Sequence, residues 1–432
     1  MLKYLYLFQI IFLIGFRADL VRITLKRTPL PSSFDSQNPN NKTFIQKLQA
    51  TVSNMRLNNY HDMQYYGPMQ IGSQRQSFNM VFDTGSQWMF IPSADCNTCV
   101  SSSSFSCSVS QTCSQSSSNS LVNITYGKGF ISGKQTYDQV YLSDDLVVSK
   151  QEMLTVIYQQ DFDGFSADGL CGMGVESFYD PSDQTSLVKN LFMAGKISNQ
   201  MFSFKLSQES VSSNNYYSEL VIGGYDNSSF AENITFFKVV NYQYWAIAMD
   251  QVTVDGQVIA INEQALLDTG TSILVLPFAA FNNFVAILKN KHQCYIDGTY
   301  IQCGCPDGDI GGFPTFTFTF SGKDYTLEPE FYITQIRNLC AVNVGSLSSF
   351  SDMWILGDKF MHKYYTVFDG GNLTIGLARM NIPPISNSPT GLNVILVVAI
   401  IIAGLLIALV AVCLIKKFCL NRRNEQQGLL QN

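Results

Sequence analysis

Val81-Phe82-Asp83-Thr84-Gly85-Ser86 recurs further along the chain as Leu266-Leu267-Asp268-Thr269-Gly270-Thr271. Each copy follows an apolar, strand-like run. Each is also followed by an apolar pair and a glycine, Leu170-Cys171-Gly172 and then Ile355-Leu356-Gly357. Asp83 to Gly172 and Asp268 to Gly357 are both 89 residues. A lone Asp-Thr-Gly is a surface turn by default. Two copies with matched partner glycines predict two similar lobes, each contributing one aspartate.

Two carboxylates facing each other across a lobe interface cannot both ionise cheaply, so the pair holds one proton over an acidic window. That state supplies a base and an acid together. One member takes a proton from a water, and the other donates to a substrate carbonyl oxygen as the water attacks. The candidate catalytic residues are therefore Asp83 and Asp268. Gly85 and Gly270 let backbone N–H groups approach the carboxylates. Ser86 and Thr271 offer hydroxyls to the outer oxygens, and Thr84 and Thr269 can reach across between the loops.

The rest of the body reads as strands punctuated by Gly, Asn, Asp and Ser, for example Ser77–Phe82, Leu146–Tyr158, Phe236–Val240, Thr315–Phe320 and Tyr365–Phe368. Short helices are predicted over Ser186–Met193 and Pro277–Lys289, the second opened by proline. The class is all-β. With 46 % hydrophobic and 13 % aromatic residues among 432, the chain can fill a large core, which excludes general disorder.

Residues 57–380 resemble the pepsin family of aspartic proteases. The matching motifs stand in order: Asn59-Tyr-His-Asp-Met-Gln-Tyr-Tyr-Gly67, Phe82-Asp-Thr-Gly-Ser86, Ile124-Thr-Tyr-Gly-Lys-Gly129, Asp168-Gly-Leu-Cys-Gly172, Leu267-Asp-Thr-Gly-Thr-Ser272 and Trp354-Ile-Leu-Gly-Asp358 running to Tyr364-Tyr-Thr-Val-Phe-Asp369. The resemblance implies a bilobal β fold with a cleft for an extended peptide and an aspartic endopeptidase activity without metal or cofactor. It also implies a flap carrying Tyr126 and Gly127. Val81, Tyr126 and Leu170 should line the cleft and favour apolar residues beside the cut. The chain departs from the family where Phe90 replaces a usual tryptophan, where Lys128 and Phe130 stand at the flap tip, and where the small disulfide loop before the second motif has no cysteines.

Charge is unevenly distributed. Residues 19–56 carry +4, whereas residues 57–385 carry −15. An acidic body repels nucleic acid, which excludes that partner. The basic leader matches the family's propeptide in position and charge, although it is short and shows no identifiable cleft-blocking lysine.

The ends set the expected topology. Residues 4–16 form an apolar run after Lys3, a signal-peptide pattern covering 1–18. The propeptide is then 19–56, the lobes 57–240 and 241–380, and the stalk 381–391. A transmembrane helix is expected over 392–415, because Val394 to Ile415 is apolar and reaches about 33 Å. The Lys416-Lys417 and Arg422-Arg423 pairs place the 416–432 tail in the cytosol. This describes a single-pass type I protein with a lumenal or extracellular body, expected to be a monomer. The short stalk, at most about 30 Å from Pro383 to Gly391, adds membrane-protein ectodomains to the candidate substrates. In the tail, Glu425-Gln-Gln-Gly-Leu429-Leu430 resembles the acidic dileucine signal read by endosomal and lysosomal sorting adaptors.

Of eleven cysteines, Cys96, Cys99, Cys107 and Cys113 form one group and Cys294, Cys303, Cys305 and Cys340 another. Up to four disulfides fit these groups, with pairing left open. A zinc site at Cys96-x-x-Cys99 is the competing reading. Asn-x-Ser/Thr sequons at Asn41, Asn123, Asn227, Asn233 and Asn372 become glycan sites in a lumenal body. Two other functions compete with a protease. A silent adhesion relative would be favoured by loss of either aspartate, and both are present. A sorting receptor leaves the doubled motif unexplained. Only His61, His292 and His362 exist, none in a nucleophile motif.

Overall fold

A computed structural model describes backbone strands at 21–24 and 26–27. It then describes residues 64–383 except 119, 128, 181–182, 209–217, 298–299, 337 and 347–352. The signal peptide, most of the leader, Asn41, Lys128, the apolar run from 394, Cys413, Cys419 and the dileucine tail lie outside the described residues. Among the described residues no helix is long and apolar enough to cross a membrane.

The chain is mostly β. In the first lobe, β1 (Gln76–Asp83), β2 (Phe90–Pro92), β3 (Val122–Thr125), β4 (Phe130–Tyr141) and β5 (Gly169–Gly172) belong to a nine-stranded sheet. β1 runs parallel to β5, with Val81 opposite Leu170, Phe82 opposite Cys171 and Asp83 opposite Gly172. In the second lobe, β6 (Gln257–Leu267), β7 (Leu274–Leu276) and β8 (Trp354–Leu356) lie in a seven-stranded sheet. There β6 runs parallel to β8, with Leu266 opposite Ile355 and Leu267 opposite Leu356. The equal spacing in the sequence is thus a shared strand register. The register continues outward: β2 meets β5 antiparallel at Phe90 and Leu170, and β7 meets β8 antiparallel at Val275 and Ile355.

These strands are near-continuous apolar runs because both of their faces are covered, as parallel strands require. Phe82, Leu267, Cys171 and Leu356 are all buried. Burying side chains of this size contributes about 1.5–3 kcal/mol each, which fixes the strand ends that carry the aspartates.

The partner glycines have a steric reason. A Cβ on Gly172 would stand 2.3 Å from the Gln87 carbonyl carbon, and one on Gly357 would stand 2.0 Å from the Thr271 carbonyl oxygen. Each glycine lets its strand pass directly beneath the loop that follows an aspartate. Hydrogen bonds seal that passage: Met173 N–H donates to Asp83 O at 2.7 Å, and Asp358 N–H donates to Thr271 O at 2.8 Å.

A six-stranded sheet joins the lobes. Its order is Val21–Thr24, Glu219–Ile222, Met201–Lys205, Tyr364–Asp369, Thr374–Arg379 and Thr235–Lys238. It therefore draws strands from both sides of residue 240. The leader supplies an outer strand to it, pairing Val21 with Ile222 and Thr24 with Glu219. Lys26 and Arg27 pair in turn with Tyr66 and Tyr65.

The predicted helices form at Leu187–Met193 and Phe278–Lys291. Ser186 caps the first by accepting from Lys189 N–H at 3.2 Å, and Pro277 stands at the N-cap of the second. Four disulfides join Cys96 to Cys99, Cys107 to Cys113, Cys294 to Cys303 and Cys305 to Cys340. Pairing stays within each sequence group, and Cys96 and Cys99 bond to each other. Cys171 is a buried thiol.

Candidate active site

Asp83 ends β1 and Asp268 follows β6, and the two loops meet at the lobe interface. Thr84 N–H donates to Thr269 Oγ1 at 3.0 Å, and Thr269 N–H donates to Thr84 Oγ1 at 3.0 Å. Each hydroxyl then donates across the interface, Thr84 Oγ1 to Leu267 O at 2.8 Å and Thr269 Oγ1 to Phe82 O at 2.7 Å. Every polar group of the exchange is satisfied in a buried setting, where an unmade bond costs most. Thr84→Val leaves the Thr269 N–H and the Leu267 carbonyl without these partners. It is expected to lower unfolding stability by about 2–4 kcal/mol, read from a denaturant midpoint; a change below about 0.5 kcal/mol would contradict the exchange.

The carboxylates are held alike. Gly85 N–H donates to Asp83 Oδ1 at 2.9 Å and Gly270 N–H to Asp268 Oδ1 at 2.8 Å. Ser86 Oγ donates to Asp83 Oδ2, and Thr271 Oγ1 donates to Asp268 Oδ2 at 2.5 Å. The two groups also crowd each other's glycines. A Cβ on Gly270 would lie 2.3 Å from Asp83 Oδ1 and 3.2 Å from Asp268 Oδ1. One on Gly85 would lie 2.5 Å from Asp268 Oδ1. Both inner oxygens therefore gather at one point, flanked by two glycines. Asp83 and Asp268 are only 6 % and 8 % exposed.

Burial, and then the neighbouring Asp268 charge, push the Asp83 carboxyl well above the usual carboxylate range. The native state thus binds this proton more tightly than the unfolded chain does. The associated stability is fully present below the unfolded value of about 4 and is lost as pH rises through the raised native value. Wild-type stability is expected to fall over that span, and Asp83→Asn should flatten the slope. Parallel denaturation midpoints for the two proteins from acid to neutral pH would contradict this.

The aspartates open onto a cleft of about 270 Å³ whose walls include Val81, Tyr126, Leu170, Tyr244 and Ile355. The cleft brings together Asp83, Gly85, Ser86, Asp268, Thr269, Gly270, Thr271, Tyr126 and Gly127. Thr84 sits behind them, in the exchange. β3 and β4 form the hairpin that carries Tyr126 and Gly127, closed by Tyr126 N–H donating to Gly129 O at 2.7 Å.

Phe90, standing where a tryptophan was expected, packs its ring 5.7 Å from that of Tyr126. Phe162 lies 6.0 Å from Tyr126, and Phe165 lies 5.7 Å from Phe162. The Tyr126 hydroxyl is buried near Asp83 and Ser86 and makes no hydrogen bond of normal geometry among the described residues. Burial, and then the Asp83 charge, push this phenol up, so it stays neutral. Sequence reasoning missed Phe162, Phe165, Gln64 and Tyr244 in the cleft. The one available signal was a pair of phenylalanines inside the polar turn Asp161-Phe162-Asp163-Gly164-Phe165-Ser166.

A mostly β protein with two buried carboxylates converging on a cleft fits the class of acid–base hydrolases. Residues 64–380 match the family model for eukaryotic aspartyl proteases, and the chain belongs to that family. It is similar to pepsin A of Bos taurus, 32 % identical over 348 residues that cover 78 % of this chain and 89 % of the relative. Pepsin A of Sus scrofa is 33 % identical over 355 residues, covering 79 % and 87 %. Pepsin A of Gallus gallus is 31 % identical over 374 residues, covering 84 % and 97 %. The protein is an aspartic-type endopeptidase that hydrolyses peptide bonds in polypeptides.

Proposed function

We propose that Asp83 and Asp268 are the catalytic pair and share one proton around a single water. The ionised member accepts a proton from the water as its oxygen attacks the scissile carbonyl, and the protonated member donates to the carbonyl oxygen. The tetrahedral diol then collapses, with the amine leaving protonated and the pair restored to its single proton. The observation that carries this is the convergence of both inner carboxylate oxygens beside Gly270. Gly85, Ser86, Gly270 and Thr271 hold the carboxylates, Thr84 and Thr269 lock the loops, and Tyr126 and Gly127 cover the substrate. The apolar walls at Val81, Leu170 and Phe162 favour apolar side chains beside the cut.

The protease works as a lumenal or extracellular body, running from 57 to 380 with its lobes meeting near 240. It is anchored by an apolar helix at 392–415, follows a signal peptide at 1–18, and acts as a monomer. Four disulfides between lumenal cysteines support that compartment. The Glu425, Leu429 and Leu430 tail recruits endosomal or lysosomal sorting adaptors.

The basic 19–56 leader latches the acidic body at neutral pH, and acid weakens the attraction by protonating carboxylates. Strand pairing at 21–24 and 26–27 supports a leader docked on the body. To test the reading, residues 19–385 are expressed, acidified and given a denatured protein with and without pepstatin. Cleavage is expected after leader loss and should vanish with pepstatin. Undiminished cleavage under saturating pepstatin would refute the mechanism, and equal leader release at neutral and acidic pH would refute the latch.

A further inference from the structure

Among the described residues the six-stranded sheet ends in the edge strand Thr235–Lys238, which is paired on one side with Thr374–Arg379 and meets no strand on the other before the single bridge of Val239 to Ile247. An edge strand offers unpaired N–H and C=O groups to other chains and is normally blunted by charge, proline, a bulge or a cover. Here the four residues include Lys238 at one end and no proline. Phe236 is 42 % exposed at the strand's middle, and Val240 and Tyr242 are exposed just beyond it. An exposed aromatic on an open edge is an association hazard.

Three of the four described sequons surround this strand. Asn233 is exposed two residues before it begins. Asn372 is exposed in the turn that joins the two neighbouring strands, and its carbonyl accepts from Lys238 Nζ at 3.2 Å. Asn227 is exposed in the turn Asn227–Ser229, and the Ser228 and Phe230 carbonyls of that segment accept from Asn381 Nδ2 at 3.1 and 2.9 Å. The fourth, Asn123, stands on β3 in the nine-stranded sheet.

We infer that Asn227, Asn233 and Asn372 carry N-linked oligosaccharides that cover this strand and keep the chain from pairing edge to edge with a second copy. In forming each link, the amide nitrogen bonds to the anomeric carbon of the sugar and loses one proton. The pyrophosphate of a lipid-linked oligosaccharide donor is the leaving group. Asn372 Nδ2 donates to Asp369 Oδ2 at 2.8 Å. The linked amide keeps one N–H, so that bond can persist. The inference rests on the lumenal placement proposed above, since the donor acts only in that compartment.

The test takes the full chain from a eukaryotic secretory host, in detergent. Peptide masses are read before and after an amidase that removes N-glycans and leaves aspartate, and the association state is read on both samples. The expected result is sugar at Asn227, Asn233 and Asn372. A monomer should become an oligomer on deglycosylation, and Phe236→Lys should restore the monomer. Bare asparagines at the three sites alongside intact disulfides would overturn this inference alone. Free thiols with Asn123 also bare would overturn the lumenal placement together with it. A deglycosylated chain that remains monomeric would overturn the covering role.

Discussion

Asp268→Asn is expected to yield a folded protein that cleaves peptides at least about a thousandfold more slowly than wild type. The isostere keeps the volume of the carboxylate, and its carbonyl oxygen can still accept from Gly270 N–H, as Asp268 Oδ1 does. The exchange between Thr84 and Thr269 does not involve the carboxyl group, so the lobes remain joined. What is lost is a group that can alternate between base and acid. An amide cannot take the proton of the attacking water, and it no longer places a negative charge beside Asp83. Asp83, now without the repulsion that helps raise it, is left as a single carboxyl group. The measurement is kcat on a peptide substrate at acidic pH, with circular dichroism to verify folding. A loss below tenfold in a folded variant would remove Asp268 from the mechanism.

Gly270→Ala is expected to cost at least about a hundredfold in kcat/KM although no acid or base is removed. The added methyl would meet Asp83 Oδ1 at 2.3 Å, which no Cβ tolerates, so a carboxylate or a loop must move. Displacement of catalytic groups by about an ångström is enough for a hundredfold loss. Side-chain rotation of Asp83 would break the donations from Gly85 N–H and Ser86 Oγ. Movement of the loop would instead break the Thr269 N–H bond to Thr84. Either route separates the two inner oxygens. The result should appear as a fall in kcat together with weaker pepstatin binding, because both depend on the same pair of oxygens. A variant that binds pepstatin as wild type does would show that the glycine is not needed to bring the carboxylates together.

The elements readable from sequence are those set by local pattern. Met80-Val81-Phe82 and Ala265-Leu266-Leu267 are apolar without alternation, as strands covered on both faces must be, and both are such strands. The repeated 89-residue spacing became a common register because each aspartate loop sits over its own partner glycine. The short helix expected over Ser186–Met193 forms at Leu187–Met193, held by a local device, the Ser186 cap.

Long-range features were not readable in the same way. The six-stranded sheet unites Met201–Lys205 with Tyr364–Asp369, and no local periodicity encodes a pairing across that interval. Disulfide partners within each cysteine group depend on which strands lie side by side, as Cys303 facing both Cys294 and Cys340 shows. Cys303 bonds the first of these, and Cys340 bonds Cys305. The rings of Phe162 and Phe165 lie in a polar turn that reads as solvent-facing, yet the cleft buries Phe162 and half-buries Phe165 against Phe90. The replacement of tryptophan at position 90 was visible. Its consequence, a Tyr126 ring packed by phenylalanines with no hydrogen bond of normal geometry at its hydroxyl among the described residues, needed the geometry.

The most direct measurement is a crystal structure of the mature protease with pepstatin bound, taken at acidic pH. The inhibitor's central hydroxyl stands in for the water and one diol oxygen of the reaction. It should lie within hydrogen-bond distance of both Asp83 and Asp268, with Tyr126 folded over it. An inhibitor seated elsewhere, or contacting one aspartate while the other points away from the cleft, would contradict the shared pair.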